Sequence, residues 1–400
     1  MNSAQLKIHL LCRGIQLDSS VDLDADARPI LRTRGGLASG IEGILPGGLS
    51  INIPVYESFA ADSPFSLVKK EEKYYVFRDE EELSEIVLPP NPKFYSKKTS
   101  SGKLMSRIGV MQGTYLGIYP TDICEFWKTD PPSNCRFCSV GLNLGSTEDI
   151  DKTDADLLET TLAAMQEEKI TFVHFNAGYL GGKELEILEH YIELIKKNTP
   201  LMVGLQAAPS ADYSIYERLK KKGVDHLSFC IELFDEERLK EVCPGKSRTI
   251  GRKQYLDTIE ACSKIFMRGR VSGEIIAGLE PAEKTIEAID YFAKMGVVST
   301  VCIFRPLIGT QYENLPSPKP EDMIPIFQHL YRTTLYNRIP LGMAPNIKVS
   351  IVMLAEEGRG LIEKKGFRLR LCEMRNSFIK FFISLYFKIR IRYGKIRLGL

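Results

Sequence analysis

The sequence predicts an α/β fold: a (β/α)6 partial TIM-like barrel at residues 105–320, a small N-terminal α/β domain at 1–95 and a C-terminal extension at 321–400. Three observations predict it. Between about residues 106 and 312, six short apolar runs alternate with amphipathic stretches of helical spacing. The apolar runs suit strands covered on both faces, and strands joined through helices must run parallel with right-handed crossovers. Turn residues and polar side chains gather just after the runs, the end of the strands where such folds place their chemistry.

In chain order, residues 1–14 hold a short apolar patch (Ile8, Leu10, Leu11) broken by His9 and Arg13, without the core or cleavage site of a secretory signal. Glycine-rich turns follow at 32–40 and 45–48. Arg32 and Arg34 beside such glycines suit an anion, but plain turn glycines are the better reading. Leu49, Ile51, Ile53 and Val55 alternate as a half-buried strand does, residues 74–77 form another, and 79–87 suit a short helix with an acidic start. Leu88-Pro-Pro-Asn-Pro92 reads as a linker. Strands are then expected at 107–111, 171–175, 201–206, 226–231, 271–277 and 298–304. Helices are expected at 154–168, 184–197, 213–222, 252–266 and 284–295. Residues 321–366 read as a helix and a connection broken by Pro340, Gly342 and Pro345. From 367 onward apolar residues mix with Lys and Arg. A docked terminal element is the preferred reading, and an interfacial segment on an anionic membrane is the rival.

Bulk composition narrows the function classes. Hydrophobic residues make up 44% and charged residues 26%, the mix of an ordinary globular chain. A net charge of +2 gives no reason to invoke nucleic acid, and no run reaches the roughly 20 apolar residues of a membrane span. Nine cysteines spread over 400 residues argue for free thiols in a reducing compartment, so a cytoplasmic location is the default.

Cys124, Cys135 and Cys138 are spaced with ten residues, then two, between them. Three chemistries use such a set. Structural zinc wants four ligands, and no histidine lies between Tyr95 and Val173 to help. A redox Cys-x-x-Cys pair leaves Cys124 unexplained. A three-cysteine iron–sulfur cluster uses all three thiolates and leaves one iron open. Cys230, Cys243, Cys262 and Cys302 lack cluster spacing and read as buried structural thiols.

Phe137 directly before Cys138 resembles the Cys-x-aromatic-Cys ending of the radical S-adenosylmethionine (radical SAM) superfamily. Asn176-Ala177-Gly178 after the second strand, Gly273-Glu-Ile275-Ile-Ala-Gly278-Leu-Glu280 on the fifth and Pro306-Leu-Ile-Gly309-Thr310 after the sixth are similar to further motifs of that superfamily. The second glycine of the fifth-strand motif is shifted by one. The first cysteine spacing is ten residues rather than three. With Arg34-Gly-Gly, Ile53-Pro-Val-Tyr56, Ser63-Pro-Phe65 and Pro89-Pro-Asn-Pro-Lys-Phe-Tyr95, it resembles a poorly characterised subgroup found in nitrilase-containing gene clusters.

The resemblance implies a [4Fe–4S] cluster on the three cysteines and S-adenosyl-L-methionine on its open iron. It also implies a small-molecule substrate and an electron donor such as flavodoxin or ferredoxin. Asn176 and Gly178 would then meet the methionine moiety, unless they only form a tight turn. Phe137 would pack on adenine or on the loop core, and Gly278 and Glu280 would lie near adenine. Glu232 would take ribose hydroxyls or be a solvated strand end. Lys246 would pair with the methionine carboxylate, although a surface lysine is the preferred reading. Gln206 points to substrate. Two rivals stay open: a non-catalytic zinc- or cluster-stabilised binding module, and a radical SAM methyl or sulfur transferase.

Overall fold

The computed structural model describes residues 1–26, 28, 30, 39–343 and 346–398. The anion-binding reading of Arg32 and Arg34, and the break at Pro345, lie outside the described residues.

The N-terminal part runs α1 (Ser3–Arg13), β1 (Gln16–Leu17), β2 (Ile41–Leu45), β3 (Leu49–Ile53), α2 (Ser58–Ala61), β4 (Phe65–Lys70), β5 (Lys73–Arg78) and β6 (Glu81–Ile86). Asn2 caps α1 by accepting from the Ala4 and Gln5 amides, with Gln5 closing a capping box. The helix expected at 79–87 is instead the strand β6, antiparallel to β5. Its acidic residues meet lysines of neighbouring strands, Glu82 with Lys70 at 2.7 Å and Glu85 with Lys73 at 3.1 Å. Ladder hydrogen bonds and charge pairs across the sheet outweigh the weak propensity of so short a helix.

The central part runs β7 (Gly109–Met111), β8 (Leu116–Ile118), α3 (Val140–Asn143), α4 (Asp154–Glu167), β9 (Phe172–Asn176), α5 (Glu184–Asn198), β10 (Met202–Gln206), α6 (Ser214–Lys221), β11 (His226–Glu232), α7 (Glu236–Val242), α8 (Pro244–Thr249), α9 (Gly251–Ile265), β12 (Val271–Ala277), α10 (Ala282–Met295) and β13 (Val298–Ile303). Strands β7 to β13 form one curled, open sheet in sequence order. β8 to β13 are parallel throughout. The first expected strand is corrected here. Residues 109–111 form an antiparallel edge, and the unexpected β8 is the first parallel strand. The chain reverses at Gly113, whose φ of +79° and approach to the Lys348 carbonyl exclude a side chain.

Helices cover the convex face, where Val173, Leu205, Phe229, Ile231 and Ile275 are fully buried with Leu188, Ile259 and Phe292. Thr153 and Asp156 form the capping box that starts α4. A second core joins the N-terminal part to the outer side of β12 and β13 through α11 (Pro320–Tyr336), with Ile8, Leu10, Val301 and Phe327 in contact. The buried pair Lys7–Glu357, at 2.7 Å, fixes α1 to the segment after α11.

The tail is the helix α12 (Phe367–Leu398), docked as the preferred reading holds. Phe387 and Ile383 pack on Phe172 and Met202, and Arg390 pairs with Asp225 at 2.9 Å. These partners precede or begin strands, so α12 closes the floor of the sheet. Among the described residues no helix is long and apolar enough to cross a membrane.

Candidate active site

The loop between β8 and α3 carries all three clustered cysteines, and local hydrogen bonds hold it to the mouth of the sheet. The Glu125 amide donates to the Tyr179 carbonyl at 2.8 Å, and Phe126 stacks on Tyr179 with ring centres 4.8 Å apart. The Arg136 amide donates to the Val242 carbonyl at 2.9 Å, and the Gly245 amide to the Ser133 carbonyl at 2.9 Å. Gly245 is required there, because a Cβ would meet the Ser133 carbonyl at 2.6 Å. The long insertion after Cys124 is therefore ordered against two neighbouring loops.

Cys124, Cys135, Cys138 and Phe137 line one cavity of about 260 Å³. Asn176, Gly178, Gln206, Glu232 and Lys246 line it too. Gly178 lies so close to the loop that an added Cβ would fall 2.4 Å from the Cys124 Cβ. Its N–H donates to the Tyr119 hydroxyl at 2.9 Å. Asn176 Nδ2 donates to Gln206 Oε1 at 2.6 Å. Gly278 and Glu280 do not line this cavity. The Gly278 φ is +99°, and the Glu280 carboxylate accepts from the Phe234 and Asp235 amides at 2.8 and 2.9 Å. Glu280 thus shapes the turn after β11.

Lys246 overturns its preferred reading as a surface lysine. It is 9% exposed, and Nζ donates to Glu232 Oε1 and to the Cys230 carbonyl, each at 2.7 Å. Burial is the largest single influence and opposes its charge, but Glu232 together with Tyr255 and the neighbouring cysteines holds the ammonium above the usual lysine range. Glu232 is likewise no solvated strand end. It adopts φ +70° at a register shift of β11 against β12, so local backbone strain aims it into the site.

Below the mouth, the concave face is polar. Residues 226, 228, 230 and 232 of β11 alternate as His, Ser, Cys and Glu with buried apolar neighbours. Ser228 donates to Glu274, and the Cys230 thiol to the other Glu274 oxygen at 3.0 Å. Burial raises the Glu274 carboxyl, with Glu232 adding to the rise. Burial next to Glu274 also lifts the Cys230 and Cys302 thiols well above their usual value. Cys230 and Cys302 also line the cavity. Strict alternation in β11 is the sequence signal for this lining. Arg305, also on the wall, is buried and donates to Glu57 at 2.6 Å and to Asn52 at 3.1 Å, which ties the N-terminal part to the mouth.

The sulfur set fits a soft metal centre by its chemistry. Trp127 Nε1 is buried without a hydrogen-bond partner among the described residues, and it lies near Cys138, whose thiolate it favours. Burial pushes the Cys138 thiol up to about 12 and raises Cys124. Cys135 is lowered, chiefly by a hydrogen bond from Cys243 and then by Lys246. Cys243 sits behind Cys135 in an apolar cluster with Leu239 and Phe304, away from the cavity lining. Among the described residues no group of three or more His, Cys, Asp or Glu side chains, the cysteine trio included, is placed to hold a metal ion. The three cysteines line the same cavity.

No known family profile matches the chain. It is similar to a bacteriochlorophyllide c C-7(1)-hydroxylase of Chlorobaculum limnaeum, 29% identical over 117 residues, 29% of each chain. It is also similar to an uncharacterized protein of Methanocaldococcus jannaschii, 26% identical over 208 residues, 50% of this chain and 51% of that one. The chain therefore spans about a third and about half of the length of these curated relatives. Among solved structures it is similar to the [FeFe]-hydrogenase maturase HydG, with TM-score 0.44, 15% identity and coverage of 55% of this chain and 49% of that chain. Methylornithine synthase PylB gives TM-score 0.44, 13% identity and coverage of 66% and 81%. Coproporphyrinogen III oxidase HemN of Escherichia coli, a radical SAM enzyme, gives TM-score 0.33, 15% identity and coverage of 42% and 41%.

Proposed function

We propose that this chain is a radical SAM enzyme acting on a small molecule. Cys124, Cys135 and Cys138 would hold a [4Fe–4S] cluster whose open iron takes the amino and carboxylate groups of S-adenosylmethionine. The observation that carries this reading is the convergence of three thiols, on the loop after the first parallel strand, with strand-end residues on one cavity. When bound and reduced, such a cluster supplies the electron that cleaves S-adenosylmethionine and yields a 5′-deoxyadenosyl radical able to abstract hydrogen from substrate.

The chain's own residues bind, orient and exclude water. Gly178 leaves room beside Cys124, and Asn176 and Gly178 offer amide groups to the methionine moiety. Glu232 accepts hydroxyl donors, and Lys246 pairs with it while countering the negative charge of the thiolates. Phe137, Phe126 and Trp127 wall the cavity with rings, which lowers the local dielectric around the reacting groups. Gln206, Cys230 and Glu274 stand deeper and face substrate. The hydroxylase relative acts, by its name, on one carbon of bacteriochlorophyllide c, and attack on a C–H bond is the reaction class we infer here. An electron donor of the flavodoxin or ferredoxin type and a reducing, cytoplasmic setting belong to the same proposal. The ten-residue spacing after Cys124 supports placement in the subgroup from nitrilase-containing clusters.

The test is anaerobic reconstitution, reduction with dithionite and assay for 5′-deoxyadenosine. Wild type forms it, and Cys135→Ala loses both brown colour and product. A colourless protein with stoichiometric zinc would instead make the chain a stapled binding module.

A further inference from the structure

We propose that α12 lays its outward face on an anionic lipid bilayer, tethering the protein with its cavity mouth turned away from the membrane. The helix has two apolar sides. Leu369 and Phe387, 2% and 7% exposed, belong to the side docked on the rest of the molecule. On the other side Leu371, Phe378, Phe382, Leu385, Ile389 and Tyr393 recur at helical spacing and are 49–69% exposed. At 1.5 Å per residue this stripe runs for about 33 Å, longer than the scattered apolar exposure of an ordinary surface.

Charge selects the occupant. Helical phase puts Arg370, Lys388 and Arg392 along one border of the stripe, while on the other border Arg368 lies over the Tyr336 ring and Arg375 donates to the Leu335 carbonyl of α11. The helix carries nine Lys/Arg and one Glu, a charge of +8 in a chain of net charge +2, so the rest of the chain is net −6. The one acid, Glu373, is held by Lys365 at 2.8 Å. A second copy meeting this face would bring the same excess of positive charge and be repelled. An apolar stripe rich in aromatic rings and bordered by basic residues matches the headgroup region of an anionic bilayer.

Orientation follows from where α12 sits. Its partners Phe172, Met202 and Asp225 lie at the starts of the parallel strands, while Asn176, Gln206 and Glu232 line the cavity from the strand ends. Bilayer and cavity mouth are thus on opposite ends of the sheet.

The full chain is tested by co-sedimentation with phosphatidylcholine vesicles, with and without phosphatidylglycerol. The protein sediments with the anionic vesicles, roughly tenfold or more above the neutral ones, and raised salt weakens the binding. The surface triple variant F378S/F382S/I389S and the charge variant K388E/R392E each reduce binding roughly tenfold while keeping the wild-type melting temperature. Three results would overturn the proposal: no sedimentation with anionic vesicles, equal binding to neutral ones, or binding untouched by both variants. A dimer dissolved by the same variants would assign the face to a second copy instead.

Discussion

At the floor of the sheet Asp225 is clasped by Lys196, by Arg270 at 3.3 Å and by Arg390 of α12 at 2.9 Å. In the cavity, Glu274 is held by Ser228 and the Cys230 thiol, with no cation among its hydrogen-bond partners in the described residues. Burial would raise both carboxyls. At the floor Lys196 and Arg390 overcome burial and hold Asp225 below the usual carboxylate range, whereas Glu274 stays above it. The floor is therefore built to be stable as it stands. The cavity instead holds a raised carboxyl beside the paired Glu232 and Lys246, the kind of perturbed groups that gather at functional sites.

Breaking the floor has the largest expected effect on stability. Asp225→Ala leaves three half-buried cations and the buried Val203 amide without their partner and costs about 3 kcal/mol in urea unfolding. Removal of Arg390 alone, with Lys196 and Arg270 still in place, costs about 1 kcal/mol or less. If the two variants were equally destabilised, α12 rather than the charge cluster would carry the floor.

At the mouth, Gly178→Ala drives a methyl group into Cys124 and costs about 1–3 kcal/mol by crowding. Its sharper signature is lower iron retention after reconstitution, because the displaced group is a proposed ligand. Normal iron content in this variant would separate Gly178 from the cysteine loop.

The two carboxyls also give opposite pH signatures. Asp225 has a depressed folded pKa, so its stabilisation is full above its unfolded value of about 3.9 and is lost as pH falls through the folded pKa. The stability gap between wild type and Asp225→Asn closes on acidification. Glu274 has a raised folded pKa, so its stabilisation is full below about 4.3 and fades as pH rises through the folded pKa. Glu274→Gln at neutral pH therefore melts no lower than wild type. A marked loss of melting temperature in Glu274→Gln would show that the cavity carboxylate is structural.

Much of this comparison was legible in the sequence. Five of the six expected strands stand where periodicity places them, because long helices with clean spacing separate them. The first failed because Gly113 folds a short hairpin whose two strands are three residues each, below the reach of a period. The acidic stretch 79–87 misled because cross-strand lysines are invisible locally. At the site, spacing marked Cys124, Cys135 and Cys138, and all three line the same cavity. Glu274, Cys302 and Arg305 were not legible as a lining, because their meeting depends on sheet curl. Lys246 looked like an ordinary lysine after a turn, since its partner Glu232 reaches it only through the strained end of β11.

The proposed function requires three thiolates to hold a cluster with one iron left open to S-adenosylmethionine. Electron paramagnetic resonance of the reduced, reconstituted protein tests it most directly. The account predicts a [4Fe–4S]+ signal whose g-values shift when S-adenosylmethionine is added. A signal unmoved by S-adenosylmethionine, or one that survives Cys138→Ala unchanged, would contradict it.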